Sequence, residues 1–266
     1  MQPSTQQSSF TAVMLGCGDA YDTQRHNSGL LVTEGDYSLL IDCGPWLTRR
    51  ALEYLDGPEQ LDGIYITHAH PDHALGLTTL LNWMDSKQRR HPLTIYLQRS
   101  QARVIEALVS YAYWPNDELG FAIEYRYIED INCVGPWKAQ FAVTKHAVDN
   151  FSIRLQTQGK HSLFFSGDGE LSELGTTLAA QSDWVFIECQ TLKLHTSHGS
   201  WEQIKTLPKR ATSRWRLYHV SPEERGELIA ALHDQPQIQM AHEGERLVAK
   251  ATESDHHCLS VDESIR

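Results

Sequence analysis

Three histidines and one aspartate fall within six residues of the segment Gly63-Ile-Tyr-Ile-Thr-His68-Ala-His70-Pro-Asp72-His73-Ala-Leu-Gly76-Leu77. Neutral imidazole and carboxylate are ordinary ligands of zinc, so this density describes a metal site rather than a polar turn. In a turn, side chains on either side of a one-residue spacer can converge, so His68 and His70 can share an ion. Asp72 and His73 fall in the first turn of a following helix, which Pro71 is suited to open. A metal site on one strand end calls for further ligands on others. His146 after residues 141–145, Asp168 after 163–165 and His219 after 215–218 have the required chemistry and position.

The elements that must hold these residues can be read from hydrophobic period. Residues 64–66 form a short apolar run, the signature of a buried strand. After the motif, Leu77, Leu80, Leu81 and Met84 mark one face of a single helix starting at Pro71. Strands are expected over 11–15, 29–33 and 38–42, with a helix from Gly44-Pro45 to about Leu55. A strand at 93–97 precedes a helix capped by Ser100, with Val104 and Leu108 on its apolar face. Period-two alternation at Phe121, Ile123, Tyr125 and Tyr127, and again at Phe151, Ile153 and Leu155, predicts antiparallel strands. Gly159-Lys160 is a hairpin candidate. A helix from Leu171, a buried strand over 184–189, a short helix from Ser200, a strand over 215–220 and a helix over 222–232 follow, and 238–241 with 246–249 suggest a terminal hairpin. Strands then helix, twice over, describe two sheets with helices outside.

At 266 residues without a linker or repeat, the chain reads as one domain over 1–250 with a polar tail, 251–266, expected to be loosely ordered. No apolar run approaches the ~18 residues that span a bilayer, and the first nine residues lack the apolar core of a signal peptide. A cytoplasmic protein with no membrane partner is expected. The five cysteines form no Cys-X-X-Cys pair, and their odd number argues for reduced thiols. The formal net charge of −11 offers little counterion release to a polyanion, which disfavours long nucleic acid as a partner. A homodimer is compatible with the sequence.

With these ligands in place, the sequence resembles the metallo-β-lactamase superfamily over about 11–249. The resemblance implies an α/β fold, an αββα sandwich with a dinuclear metal site at one edge of its two sheets. It also implies that His68, His70 and His146 bind one ion, that Asp72, His73 and His219 bind the other, and that Asp168 bridges. Asp42, in Leu39-Leu-Ile-Asp42-Cys-Gly44, resembles the family aspartate that orients a ligand imidazole. The expected cofactors are two divalent ions; these donors suit Zn2+ best, with Mn2+ or Fe2+ compatible. The motif departs from the His-X-Glu-X-Asp of di-iron flavoprotein relatives, which argues for hydrolysis, with water activated by the ions.

The region containing Glu188, His195-Thr-Ser-His198 and His219 resembles ribonuclease Z and small cyclic-phosphate phosphodiesterases. By that resemblance the catalytic residues are His198 as general acid, Glu188 as its carboxylate partner and Asp72 among the ligands, with His195 the competing choice for the acid. Ribonuclease Z of bacteria carries a long basic arm between the third histidine motif and the bridging aspartate. His146 and Asp168 are only 22 residues apart, so no such arm fits. A small-molecule phosphodiester, cyclic in particular, is therefore the expected substrate. The alternatives are a lactonase or other carboxylic ester hydrolase on the same ions, or a ligand-sensing protein with little turnover. Asn27, Ser28 and Ser221 are expected to contact substrate; Tyr113 and Trp114 read better as a buried aromatic cluster than as a wall over a ring.

Overall fold

The computed structural model describes residues 9–249; the tail expected beyond 250 lies outside them. Two sheets stack face to face with helices on both outer sides. In the first sheet the strand order is Arg246–Ala249, Phe10–Gly16, Gly29–Glu34, Tyr37–Ile41, Gly63–Tyr65, Leu93–Leu97 and Ile123–Tyr127. Pairing is antiparallel from the first of these to Tyr37–Ile41 and parallel thereafter. The second sheet runs from Glu170–Leu171 through Trp137–Lys145, Phe151–Gln156, Ser162–Phe165, Trp184–Glu188 and Arg214–Tyr218 to Ile238–Met240, with Cys133–Val134 beside Trp137–Lys145. Its last four strands on that path are mutually parallel.

Strand alternation explains how both faces of each sheet are buried. In Phe10–Gly16, the side chains of Phe10, Ala12 and Met14 enter the core between the sheets, and Val13 and Leu15 pack under the outer helices. Trp184 and Phe186 likewise face the central core, while Val185 and Ile187 face the helices outside the second sheet. Parallel strands with both faces covered carry continuous apolar runs for this reason. Ligands then emerge where such strands end, at their carboxyl edges.

Four sequence expectations are corrected by long-range pairing. The segment at 123–127 is a parallel edge strand on Leu93–Leu97, not part of an antiparallel set. The two last strands form no hairpin: Ile238–Met240 joins the second sheet and Arg246–Ala249 the first, where it pairs with Phe10–Gly16. The helix after the motif is two, Pro71–Ala74 and Leu77–Ser86, parted around Gly76. A Cβ on Gly76 would stand 2.3 Å from the Gly44 carbonyl oxygen, so only glycine lets these segments approach. Ser100 caps nothing and instead donates to Asp149; the helix Ala102–Tyr113 buries Ile105, Val109 and Ala112, leaving Val104 exposed.

Candidate metal centre

The parallel strands deliver the site. Gly63–Tyr65 ends just before Thr67 and His68, Tyr37–Ile41 before Asp42, Ser162–Phe165 before Asp168, and Arg214–Tyr218 before His219; Trp184–Glu188 ends on Glu188 itself. Asp42 and His219 both hold left-handed backbone, φ 62° and 57°, which is uncommon outside glycine. Long-range bonds maintain these turns: Asp42 N donates to the Tyr65 carbonyl at 2.8 Å, and His219 N to that of Cys17 at 2.9 Å.

Two donor groups result. In the first, His68 Nε2 and His146 Nε2 each lie 3.0 Å from His70 Nδ1. His146 Nδ1 donates to the Ser197 carbonyl, so its Nε2 presents a lone pair to this point. In the second, Asp72, His73, Asp168 and His219 gather their ligand atoms within 4.8 Å of one another. Asp168 stands between the groups, with Oδ1 3.3 Å from His73 Nε2 and Oδ2 3.9 Å from His68 Nε2. Buried as they are, His73 Nε2 and Asp168 Oδ1 have no hydrogen-bond partner among the described residues. Two buried polar atoms facing one another without hydrogen-bond geometry are costly unless a third group satisfies both, and a divalent cation does so. The donor set therefore fits metal.

The outer contacts orient these ligands. Asp42 Oδ2 lies 2.8 Å from His73 Nδ1, and Thr67 donates its N–H and its hydroxyl to the same carboxylate at 2.8 and 2.9 Å. Electrostatics within the cluster is strongly coupled. Burial alone would raise the carboxyls of Asp72 and Asp168, but the imidazoles of His73 and His219 beside them hold both well below the usual range. Burial works against charge on His219 too, yet Asp168, Asp72 and Glu188 push it up to about 9. His73 is raised for the same kind of reason, whereas His68 and His70 are lowered, by burial first and by neighbouring imidazoles second.

Beside the ligands, His198 Nδ1 lies 2.6 Å from Glu188 Oε1. The other carboxylate oxygen of Glu188 accepts from Gly169 N at 2.5 Å and Gly199 N at 2.8 Å. Glu188 is fully buried, and His198 lines a cleft of about 270 Å3 together with His70, Asp72, Asp168 and His219. His195 is exposed and outside that lining.

The expected substrate contacts are placed otherwise. Asn27 and Ser28 are buried and bonded internally: Asn27 accepts from Trp46 N, and Ser28 donates to the Gly18 carbonyl. Ser221 is absent from the cleft lining. Tyr113 packs partly against the outer core of the first sheet, but Trp114 is 73% exposed, so the expected buried cluster does not form around both rings. Asp19, Ala20, Tyr21 and Gln190 line the cleft and were missed by sequence reasoning. The Gly16-Cys-Gly18-Asp19 turn was the available signal, since it ends a strand whose neighbours also end at the site.

Two stacked sheets between helices, with paired histidine and aspartate groups at their shared edge, define a metallo-hydrolase of the metallo-β-lactamase superfamily, near its ribonuclease Z branch. The chain matches the model of the Anti-Pycsar protein Apyc1 family over residues 10–245 and belongs to that family. It is similar to the Anti-Pycsar protein Apyc1 of Saccharibacillus brassicae, with 34% identity over 77% of this chain and 88% of that one. Ribonuclease Z of Archaeoglobus fulgidus shares 32% identity over 46% of this chain; the match spans only 39% of the archaeal protein. Among solved structures, the metallo-β-lactamase fold protein YhfI from Bacillus subtilis superposes with a TM-score of 0.76, covering 91% of this chain and 100% of that chain at 20% identity, a likeness of fold.

Proposed function

We propose that this protein is a phosphodiesterase acting on a small cyclic phosphodiester, with two divalent ions, zinc foremost, and with His198 as general acid. The observation that carries this reading is the Glu188–His198 pair, 2.6 Å apart at the rim of the metal cleft. His68, His70 and His146 would hold one ion, Asp72, His73 and His219 the other, with Asp168 between them. Ions so held lower the pKa of water and draw charge from the ester under attack.

The remaining work falls to the chain's own groups. Breaking a P–O ester bond leaves an alkoxide, which departs readily only when protonated. Glu188 fixes the His198 ring through Nδ1, leaving Nε2 as the nitrogen that can give up a proton toward the cleft. Acyl transfer from a lactone gains less from such a residue. The cleft of about 270 Å3 and the chain's acidity suit a small ester better than an RNA. Among relatives, the name ribonuclease Z denotes cleavage of RNA, itself a phosphodiester, which agrees with the bond type proposed here.

Turnover of 3′,5′-cyclic nucleotides, bis(p-nitrophenyl) phosphate and an acyl lactone, each with added zinc or manganese, tests the assignment. Hydrolysis of the phosphodiesters is expected; activity on the lactone alone refutes it.

A further inference from the structure

Asp168 stands between the two donor groups, its carboxylate 3.3 Å from His73 Nε2 and 3.9 Å from His68 Nε2, yet it belongs to no strand. The glycines on either side of it are left-handed, φ 62° at Gly167 and 99° at Gly169. A turn built on two glycines is conformationally free in itself, so something outside it must fix the residue they flank. A constellation of ligands tolerates displacements of only about 0.5 Å.

The fixing group is the side chain of Asn150, fully buried just before the strand Phe151–Gln156. Its Oδ1 accepts from Asp168 N at 3.1 Å. Its NH2 donates to the Ser166 carbonyl at 3.0 Å and to the Thr144 hydroxyl at 2.8 Å, and that hydroxyl donates in turn to the Asp168 carbonyl. One amide thus holds the N–H of Asp168 directly and its carbonyl through Thr144. The Asn150 carbonyl accepts from Thr144 N at 3.0 Å, which ties the asparagine to the strand Trp137–Lys145. The turn is moulded on this side chain: a Cβ on Gly167 would stand 2.2 Å from Asn150 Oδ1. Asp168 N asks for an acceptor and the Ser166 carbonyl for a donor, and a carboxylate of the same shape supplies only the first. A buried polar network in which each member is satisfied is rigid, which is what a shared ligand requires.

We propose that Asn150 is the positioning residue for Asp168, setting where the shared carboxylate stands between the two ions. The inference rests on the dinuclear metal reading of the site. It puts control of that carboxylate on a residue whose amide is engaged wholly within the protein and lines no part of the metal cleft.

The test is zinc affinity, measured by competition with a chromophoric chelator. Asn150→Ala and Asn150→Asp should each lose about 10- to 100-fold, the range for a group that orients a ligand. A double-mutant cycle separates positioning from general destabilisation: in an Asp168→Ala background, Asn150→Ala should add no more than about a twofold loss. Equal losses in the two backgrounds overturn the proposal, since an effect through His146, four residues earlier, or through the fold at large would persist without the Asp168 carboxylate. Thr144→Val removes only the hydroxyl between the amide and the Asp168 carbonyl; it should weaken zinc binding in the same direction, and Thr144→Ser should restore it. This pair carries the test if Asn150→Ala does not fold, and affinity unmoved by Thr144→Val then overturns the proposal. Zinc affinity lost on Asn150→Ala, in a protein that turns over no phosphodiester, leaves the positioning role standing and refutes the phosphodiesterase reading. Phosphodiester turnover with zinc affinity unmoved by Asn150→Ala refutes the positioning role alone.

Discussion

Replacing Glu188 by glutamine separates the proton-handling role of His198 from metal binding. The carboxylate accepts two backbone N–H groups on one oxygen and faces His198 Nδ1 with the other. In Glu188→Gln the amide oxygen must take the two glycine donors, because an NH2 placed there would leave Gly169 N and Gly199 N unpaired in a fully buried pocket. The NH2 then faces Nδ1 at the 2.6 Å contact, and Nδ1 must accept instead of donate. His198 becomes a neutral imidazole with its only proton on Nε2, which it cannot release as an acid. The expected loss is about 10²- to 10⁴-fold in kcat on a 3′,5′-cyclic nucleotide, or ~2.7–5.5 kcal/mol of barrier. The fold should persist, since charge-assisted bonds are exchanged for neutral ones at a cost on the order of 1–2 kcal/mol. p-Nitrophenolate leaves without a proton, so bis(p-nitrophenyl) phosphate should lose no more than about tenfold once the acid contribution is gone. The assay is kcat on both substrates beside metal content by mass spectrometry. Equal losses on the two substrates with metal retained, or no loss on either, would refute the reasoning.

Asp42→Asn removes the acceptor that orients His73 while keeping the shape of the side chain; divalent metal affinity by chelator competition should fall about 10- to 100-fold, and unchanged affinity would show that His73 needs no such support. Metal uptake should also depend on pH with a definite sign. In the metal-free protein His219 is pushed up to about 9 and His73 is raised, so both carry protons at pH 7 that a cation must displace. Titration calorimetry in buffers of different ionisation enthalpy should therefore record proton release, affinity should climb between pH 6 and about 9, and saturation should come at about two ions per chain; affinity flat across that range would contradict the cluster electrostatics. The same groups set the stability of the metal-free fold. The raised histidines contribute fully below the ordinary histidine value of ~6.5; His219 loses its contribution as pH rises through about 9, and His73 as pH rises through its own raised value. The depressed Asp72 and Asp168 contribute above the ordinary carboxylate value of ~3.9 and lose it as pH falls through their lowered values. Chemical denaturation of chelated protein should accordingly find its highest midpoint between these limits.

The central histidines were legible because their relation is local. His68, His70, Asp72 and His73 follow one another across a strand end, and their types carry the chemistry whatever the rest of the chain does. The helix faces and the strand ends that carry His146, Asp168 and His219 were legible from period. Sheet membership was not: residues 238–241 and 246–249 look like neighbours in a hairpin, but their partners are Arg214–Tyr218 and Phe10–Gly16, over 20 and over 230 residues distant in sequence. The break at Gly76 also has a tertiary cause, the approach of Gly44, and no local signal distinguishes it from a tolerated helical glycine.

Asn27 and Ser28 show why substrate contacts are harder to read from sequence than a cluster of donor residues. Small polar residues in a loop near a site serve equally as phosphate donors or as internal props, and only their surroundings decide which. Burial to 1% and bonds to Trp46 N and the Gly18 carbonyl make them props. Tyr21 and Trp46, which line one cleft, had nothing in their sequence spacing to connect them, lying as they do on a loop and on a helix beyond the next two strands. The candidate ligands His68, Asp168 and His219 follow parallel strands, whereas His146 follows Trp137–Lys145, which pairs antiparallel with its neighbours. Tyr21 sits on the loop between the antiparallel strands Phe10–Gly16 and Gly29–Glu34, and Trp46 on the helix that joins the parallel strands Tyr37–Ile41 and Gly63–Tyr65. The loop at 19–27 lines the cleft and carries none of the candidate ligands, so exchanging it should alter which substrate is taken before it alters whether the ions are held.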